Sequence, residues 1–517
     1  MALLSSVPQS TGPSLTSRFA TSPGAPTRGV RAPFTGEILY ELPLSTAEDV
    51  HAAAARGRAL QGEWARVPLR ERVATIHRFH DLVLTKRNEA MDILQWETGK
   101  ARRDALEEVL DVCVVSRYYG KSAARMLRPR RHAGALPLLV GVQEVRKPRG
   151  LVGVIAPWNY PLTLAASDAI PALLAGNAVM VKPDPQTSLI AAWVSEQLLL
   201  AGLPDGLFSV VTGEGPEVGP QVIDVVDHVM FTGSTVTGRV VAEQCARRLI
   251  GCTLELGGKN AMIVRADADV ARAAEVAVRA CFANTGQLCI SMERLYVHQD
   301  VYEEFLARFI PRVLSLRIAR APGWGSDVGC LISPAHLRRV QAHVDDALVR
   351  GAQALAGGRA RPDIGPLAFE PTVLEGVTEA MAVCREETFG PVASVYPVAH
   401  DDEAIALAND TRFGLNASIL TRDLRQGRRL ARRLRTGSVN VNEGYAATWG
   451  STAAPMGGVG ESGLGRRHGE EGLLGYTEGQ TIATQRLLGF GPQFGLDDER
   501  WGGLLATAVG ALKRLRL

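Results

Sequence analysis

The sequence predicts an α/β protein built on two parallel-sheet domains. Between residues 151 and 256 short β-rich runs alternate with helical segments, the pattern of strands joined by crossover helices. A second alternation of the same kind fills residues 257 to 450. The 517 residues, 46% hydrophobic and 21% charged, are enough to bury the cores of two or three domains.

Charge and cysteine usage narrow the function classes. A net charge of +3 lacks the basic footprint of a nucleic-acid binder, so no nucleic-acid partner is expected. Seven cysteines, at 113, 245, 252, 281, 289, 330 and 384, form no Cys-x-x-Cys pair and are odd in number, which fits a reducing compartment such as the cytoplasm. The histidines form no zinc-type cluster, and no metal is expected. The longest uncharged run, 150 to 167, is broken by Pro157, Asn159 and Pro161, so no integral membrane segment is expected.

Taken in order, the first 36 residues contain no acidic side chain and include Arg18, Arg28 and Arg31. That composition suits a transit peptide, but without a visible amphipathic helix residues 1–32 are expected as a flexible arm. From Ser45 to Met126 apolar residues recur at three and four, predicting helices that shell a sheet. Residues 127–150 predict a loop, with Pro129 and Pro137, followed by an extended hairpin. Strands are expected at Leu151–Ile155, Ala178–Lys182, Leu207–Val211, His228–Phe231 and Cys252–Glu255. In the second half helices are expected at Val270–Phe282, Val301–Leu314 and Pro334–Arg350, with strands at Arg294–Val297, Val392–Pro397, Ser418–Leu420 and Gly437–Asn440. The tail repeats apolar residues from Trp501 to Leu512 at helical spacing and ends in Lys513, Arg514 and Arg516. Packing on the protein or a neighbouring subunit is expected, with association at a membrane surface as the alternative.

Parallel sheets bind ligands at the carboxyl ends of their strands, so the residues just after the strands carry the functional reading. Gly233-Ser-Thr-Val-Thr-Gly238 has the skeleton of a phosphate loop, but Arg239 and Val240 replace the lysine and hydroxyl of a nucleotide triphosphatase. Gly213, Gly215 and Gly219 are one residue too long for the usual dinucleotide fingerprint. Free N–H groups and the helix dipole after Gly233 and Ser234 nevertheless suit an anion. The stretch from Glu255-Leu-Gly-Gly-Lys-Asn260 to Gly286-Gln-Leu-Cys289 places a carboxylate and a thiol where glycines allow close approach. That is a base and a nucleophile.

These two motifs, 34 positions apart, resemble the NAD(P)-dependent aldehyde dehydrogenase superfamily. Pro157-Trp158-Asn159, Lys182-Pro183, Phe231-Thr-Gly-Ser234 and Glu387-Thr-Phe389-Gly-Pro391 add to the likeness, which runs from about residue 33 to 485. The resemblance implies a Rossmann-type cofactor domain over 33–133 and 152–256, and a catalytic domain over 257–450. It also implies an oligomerisation arm from 134–151 and 476–486, with 487–517 as a C-terminal extension. A homodimer or homotetramer is implied.

The same resemblance implies the roles. Cys289 is the nucleophile towards a small-molecule aldehyde, Asn159 the oxyanion donor and Glu255 the base that hydrolyses the thioester. Trp158, Lys182, Pro185, Gly233, Ser234, Leu256, Glu387 and Phe389 face the cofactor. Pro185 stands where family members often carry a ribose-binding glutamate, which favours NADP while leaving NAD possible, although Asp184 is an opposing charge. Within the superfamily the chain is most similar to bacterial NADP-type succinate-semialdehyde dehydrogenases. The two arginines expected there for a carboxylate tail are Ser167 and Ala283 here, leaving Ser451, Thr452 or Arg279 as substitutes and another aliphatic or aromatic aldehyde as the alternative. Trp158 and Trp449 would wall such a pocket. A non-catalytic scaffold that kept the fold is the alternative from another class.

Overall fold

The structure, a computed structural model, describes residues 15–134, 140–486 and 491–515. Residues 1–14 of the expected arm, the loop at Pro137, the side chain of Arg514 and Arg516 lie outside the described residues. Four helices, Ala47–Arg66, Leu69–Thr85, Arg87–Thr98 and Arg102–Leu127, lead into a six-stranded sheet with which they share one hydrophobic core. The first of them starts at a capping box in which Thr46 and Asp49 bond each other's backbone N–H.

The strand order of this sheet is Gly463–Leu464, Gly251–Glu255, His228–Thr232, Leu151–Ile155, Ala178–Lys182 and Phe208–Val210. All neighbours are parallel except the two-residue strand at the edge. The chain builds outward from Leu151–Ile155 in one direction and then restarts on its other side with His228–Thr232. That reversal opens a crevice between Pro157-Trp158 and Gly233-Ser234, where doubly wound sheets take their ligands.

A second sheet runs Gln353–Ala356, Thr372–Glu375, Val392–Val398, Met292–His298, Asn260–Val264, Asn416–Leu420 and Ser438–Val441, parallel except at its first edge. Asn260–Val264, Gln353–Ala356 and Thr372–Glu375 were not expected from the sequence. Asn260–Val264 is wholly buried, and so short an apolar run has no periodicity to distinguish strand from helix. Thr477–Gln485 pairs along its full length with Val140–Pro148, which also pairs with Arg130–His132. The expected hairpin is thus part of a three-stranded sheet, and Leu151 belongs to the main sheet instead.

The N-terminal segment corrects the expectation of a flexible arm. Leu15 and Phe19 are buried, Ala20 N–H donates to Val210 O at 2.8 Å, and Thr27–Arg31 pairs with Ile38–Pro43. Phe19 bridges to Val210 on the edge strand Phe208–Val210 and covers part of an edge that would otherwise be open. The C-terminal helix Asp498–Leu515 is only partly packed: Trp501 is buried near Phe494, whereas Leu504 and Val509 are exposed. Among the described residues no helix is long and apolar enough to cross a membrane.

Phe19→Ala should cost about 3–5 kcal/mol, the usual range for emptying a buried phenylalanine site. Urea unfolding followed by circular dichroism checks this. A loss near zero would return the segment to a loose arm.

Candidate active site

Cys289 sits on a loop that the chain bends sharply to make. Asn284, Thr285 and Gly286 take successive left-handed conformations, with φ of 50°, 60° and 68°. Only glycine fits the last position, because a Cβ there would lie 2.0 Å from Gly390 O. Side chains clamp the residues beyond the bend. Gln287 Nε2 donates to Cys330 O at 3.2 Å while its Oε1 accepts from Ile332 N–H, and Asn260 Nδ2 donates to Cys289 O at 2.8 Å. Two sequence motifs therefore meet at the thiol.

Asn159 is held from beneath. Its carbonyl accepts from Lys100 Nζ at 2.7 Å and Asn284 Nδ2 at 3.1 Å, and its Nδ2 donates to Gln287 O at 3.1 Å. Lys100 is ion-paired with Glu108, both fully buried, and Glu108 also accepts from the N–H groups of Leu162 and Thr163. The second amide hydrogen of Asn159 remains for the cavity that the residue lines. Neither Lys100 nor Glu108 carries a motif in the sequence.

Glu255 ends its strand with its backbone fixed by Gly233 N–H at 3.0 Å and by pairing with Gly463. Its carboxylate is buried, and Oε1 makes no hydrogen bond to any described residue. Burial pushes it up to about 8, opposed by Arg467 and reinforced by Asp168. Arg467 is itself buried and ion-paired with Asp168 at 3.2 Å. Arg467 lies in no motif singled out from the sequence.

Cys289, Glu255, Asn159, Trp158, Gly233, Ser234, Leu256, Glu387 and Phe389 all line one cavity of about 230 Å³. Cys289 is half-buried there, and burial, together with the Glu387 and Glu255 carboxylates, pushes its thiol up to about 12. Cys281, eight residues earlier, is buried. Glu387 accepts from Gly258 N–H at 2.8 Å and is pushed up to about 8, chiefly by burial and then by Glu293. The buried Lys259–Glu293 pair fixes the loop beyond it, since Glu293 accepts from the N–H groups of Thr388 and Phe389. His336, missed by sequence reading, packs edge-on against Trp158 and donates from Nε2 to Phe389 O at 2.7 Å. Burial lowers it to about 4, so the ring is neutral and the donor must be Nε2–H.

A larger cavity of about 560 Å³ shares Pro157, Trp158, Thr232, Gly233 and Ser234 with the first. Its lining also includes Lys182, Asp184, Gly215 and Gly219. A Cβ added at either glycine would meet nothing within 4 Å, so both leave room for a ligand. Two helices, Gly215–Val225 and Thr235–Arg247, begin at this cavity, and their free N–H groups suit a pyrophosphate. The donor set thus fits a dinucleotide. Pro185 corrects one expectation: it is buried in a turn and does not line the cavity. Asp184 does line it, with its carboxylate turned onto Gln186 N–H at 2.9 Å.

On the substrate side Cys289 and Trp449 pack against Tyr160, Leu164, Leu288 and Tyr445. Arg279 is not a free cation, because it is ion-paired with Asp104 at 2.8 Å and with Glu107. Ser451 donates to Ala447 O, and Thr452 is buried. Among the described residues no cluster of metal-binding side chains is present.

Comparison with known proteins agrees with this geometry. A protein of Mycolicibacterium smegmatis named "Putative succinate-semialdehyde dehydrogenase", NADP(+) type, is 51% identical over 94% of this chain and 94% of its own length. The crystal structure of an E. coli NADP dependent enzyme superposes with a TM-score of 0.86 at 32% identity, covering 89% of this chain and 95% of that one. Betaine aldehyde dehydrogenase of Staphylococcus aureus, solved with NAD+, gives 0.85 at 30% identity, covering 90% and 92%. The family description that matches, over residues 20–482, is "Aldehyde dehydrogenase family", and the chain belongs to that family.

Proposed function

We propose that this chain oxidises an aldehyde to a carboxylic acid, with NADP preferred over NAD and succinic semialdehyde as substrate. The observation that carries the reading is the convergence of Cys289, Asn159 and Glu255 on one cavity that shares its wall with a dinucleotide-sized one. The Cys289 sulfur adds to the carbonyl carbon, and the oxygen that gains the electron pair is met by Asn159 Nδ2 and the Cys289 N–H. Such a donor is worth about 3–4 kcal/mol when charge develops. The thiol proton first leaves to solvent, which reaches the half-buried sulfur. Bound nicotinamide supplies the hydride acceptor that turns the adduct into a thioester. Glu255 then takes a proton from the water that releases the acid and frees the thiol. Lys182, Glu387 and the two helix N-termini would hold the cofactor, with Trp158 and Phe389 beside its ring.

Two features support NADP: the ribose-binding glutamate common in the family is Pro185 here, and Asp184 is committed to its turn. Succinic semialdehyde is supported by the name of the half-identical relative. An uncharged aliphatic or aromatic aldehyde is the second reading, favoured by the apolar wall and by the spent charge of Arg279. Both substrates would pass through the same thioester chemistry. The three-stranded sheet, with Ile482 exposed, supports a homodimer or homotetramer, and light scattering at micromolar protein should report more than one chain per particle.

With NADP and saturating succinic semialdehyde, absorbance of the reduced cofactor should rise steadily, and Cys289→Ala should abolish the rise. Activity confined to uncharged aldehydes would move the substrate to the second reading. Glu255→Gln should retain a first turnover of cofactor reduction while steady-state turnover falls about 10²–10⁴-fold, the range for losing a general base. Because the base acts when ionised, turnover limited by thioester hydrolysis should rise with pH with a midpoint near 8. Arg467→Met removes the cation that favours the ionised form, so the midpoint should move upward in a pH–rate profile.

A further inference from the structure

The part of the larger cavity that the smaller one does not share is lined by Lys182, Asp184 and Gly215, and the N-terminal hairpin is fastened on either side of it. Gln186 Nε2, in the turn after Lys182, donates to Arg31 O at 2.8 Å, and Thr212 Oγ1 donates to Pro43 O at 2.5 Å. The strand Thr27–Arg31 is thereby held between the two anchors, with Thr27 paired to Pro43 at one end. From this strand Arg28 reaches across to an ion pair with Glu214. Glu214 directly precedes Gly215, the first residue of the helix Gly215–Val225, whose start forms the cavity wall. The two side chains are 42% and 45% exposed, so a ligand entering the cavity can reach them.

Two carboxylates stand at this rim, and they are handled differently. Asp184 is turned onto Gln186 N–H at 2.9 Å, whereas Glu214 is held by a cation from another part of the chain. The ion pair engages Nη1 of Arg28, and a guanidinium carries five N–H donors in a planar fork, so the same group can serve a second anion. We propose that Arg28 is a specificity-determining residue that bridges Glu214 and the 2′-phosphate of NADP. The proposal rests on the dinucleotide reading of the cavity. NAD carries a hydroxyl in place of that phosphate and gains nothing from the bridge.

The pair acts through charge. A phosphate monoester carries nearly two negative charges at neutral pH, and without Arg28 the Glu214 carboxylate repels it. Without Glu214, the whole fork of Arg28 is left for the phosphate. The two substitutions therefore move NADP affinity in opposite directions. A merely structural role, in which the pair fastens the hairpin to the sheet, disturbs both cofactors alike, because they share the adenosine and the pyrophosphate.

The test is a fluorescence titration of the full-length protein with NADPH and with NADH in parallel. Arg28→Met should weaken NADPH binding about tenfold, the low end for a charge-assisted contact at a half-exposed site, and change NADH binding by less than about twofold. Glu214→Gln should tighten NADPH binding and leave NADH binding where it was. Added to Arg28→Met, it should restore part of the lost NADPH affinity. Equal weakening of both cofactors by Arg28→Met, or no weakening of NADPH, would overturn the proposal and leave the cofactor reading standing. Wild-type protein that binds neither dinucleotide would overturn both.

Discussion

The buried pair of Lys259 and Glu293 is the constraint on which the site depends. Desolvating two charges is expensive, and the cost is offset only when every remaining valence is met. Here Glu293 also accepts from Thr388 and Phe389 N–H groups. The result is a fixed junction between the Gly257-Gly258-Lys259 turn, the strand Met292–His298 and the Glu387–Phe389 loop. Lys100 and Glu108 repeat the device under Asn159. Buried ion pairs are weak arguments for stability, but as directional posts they set where a backbone runs. Both posts stand behind groups whose placement decides reactivity.

The electrostatics of the cavity set two demands against each other. Excluding water favours the addition chemistry and also makes ionisation costly, so both the Cys289 thiol and the Glu255 carboxyl are pushed up. Arg467 opposes this for both groups, the Cys289 thiol as well as the Glu255 carboxyl. It favours the Glu255 carboxylate but is itself shared with Asp168, so the relief is partial and the base stays near its working range.

The sequence made Cys289, Glu255, Asn159 and Glu387 readable because each lies inside a short run whose glycines and prolines restrict the backbone. The same is true of the strands from Leu151 to Glu255, where turn residues bracket β-branched runs. Lys100, Glu108, Glu293, His336 and Arg467 were not readable, because each acquires its role from a partner far away in the chain. Pro185 shows the opposite error: its position relative to Lys182 suggested contact, but the turn that proline itself favours buries it. The arm beginning at Leu15 was misjudged for a related reason, since its polar composition hid Phe19, which needs only one strand edge to pack on.

The strand Gly463–Leu464 completes the edge of the first sheet beside Glu255, and Arg467 comes directly after it. The base is thus framed by residues that a ribosome adds some two hundred positions after it. A nascent chain holds the thiol and the carboxylate long before it holds their final setting.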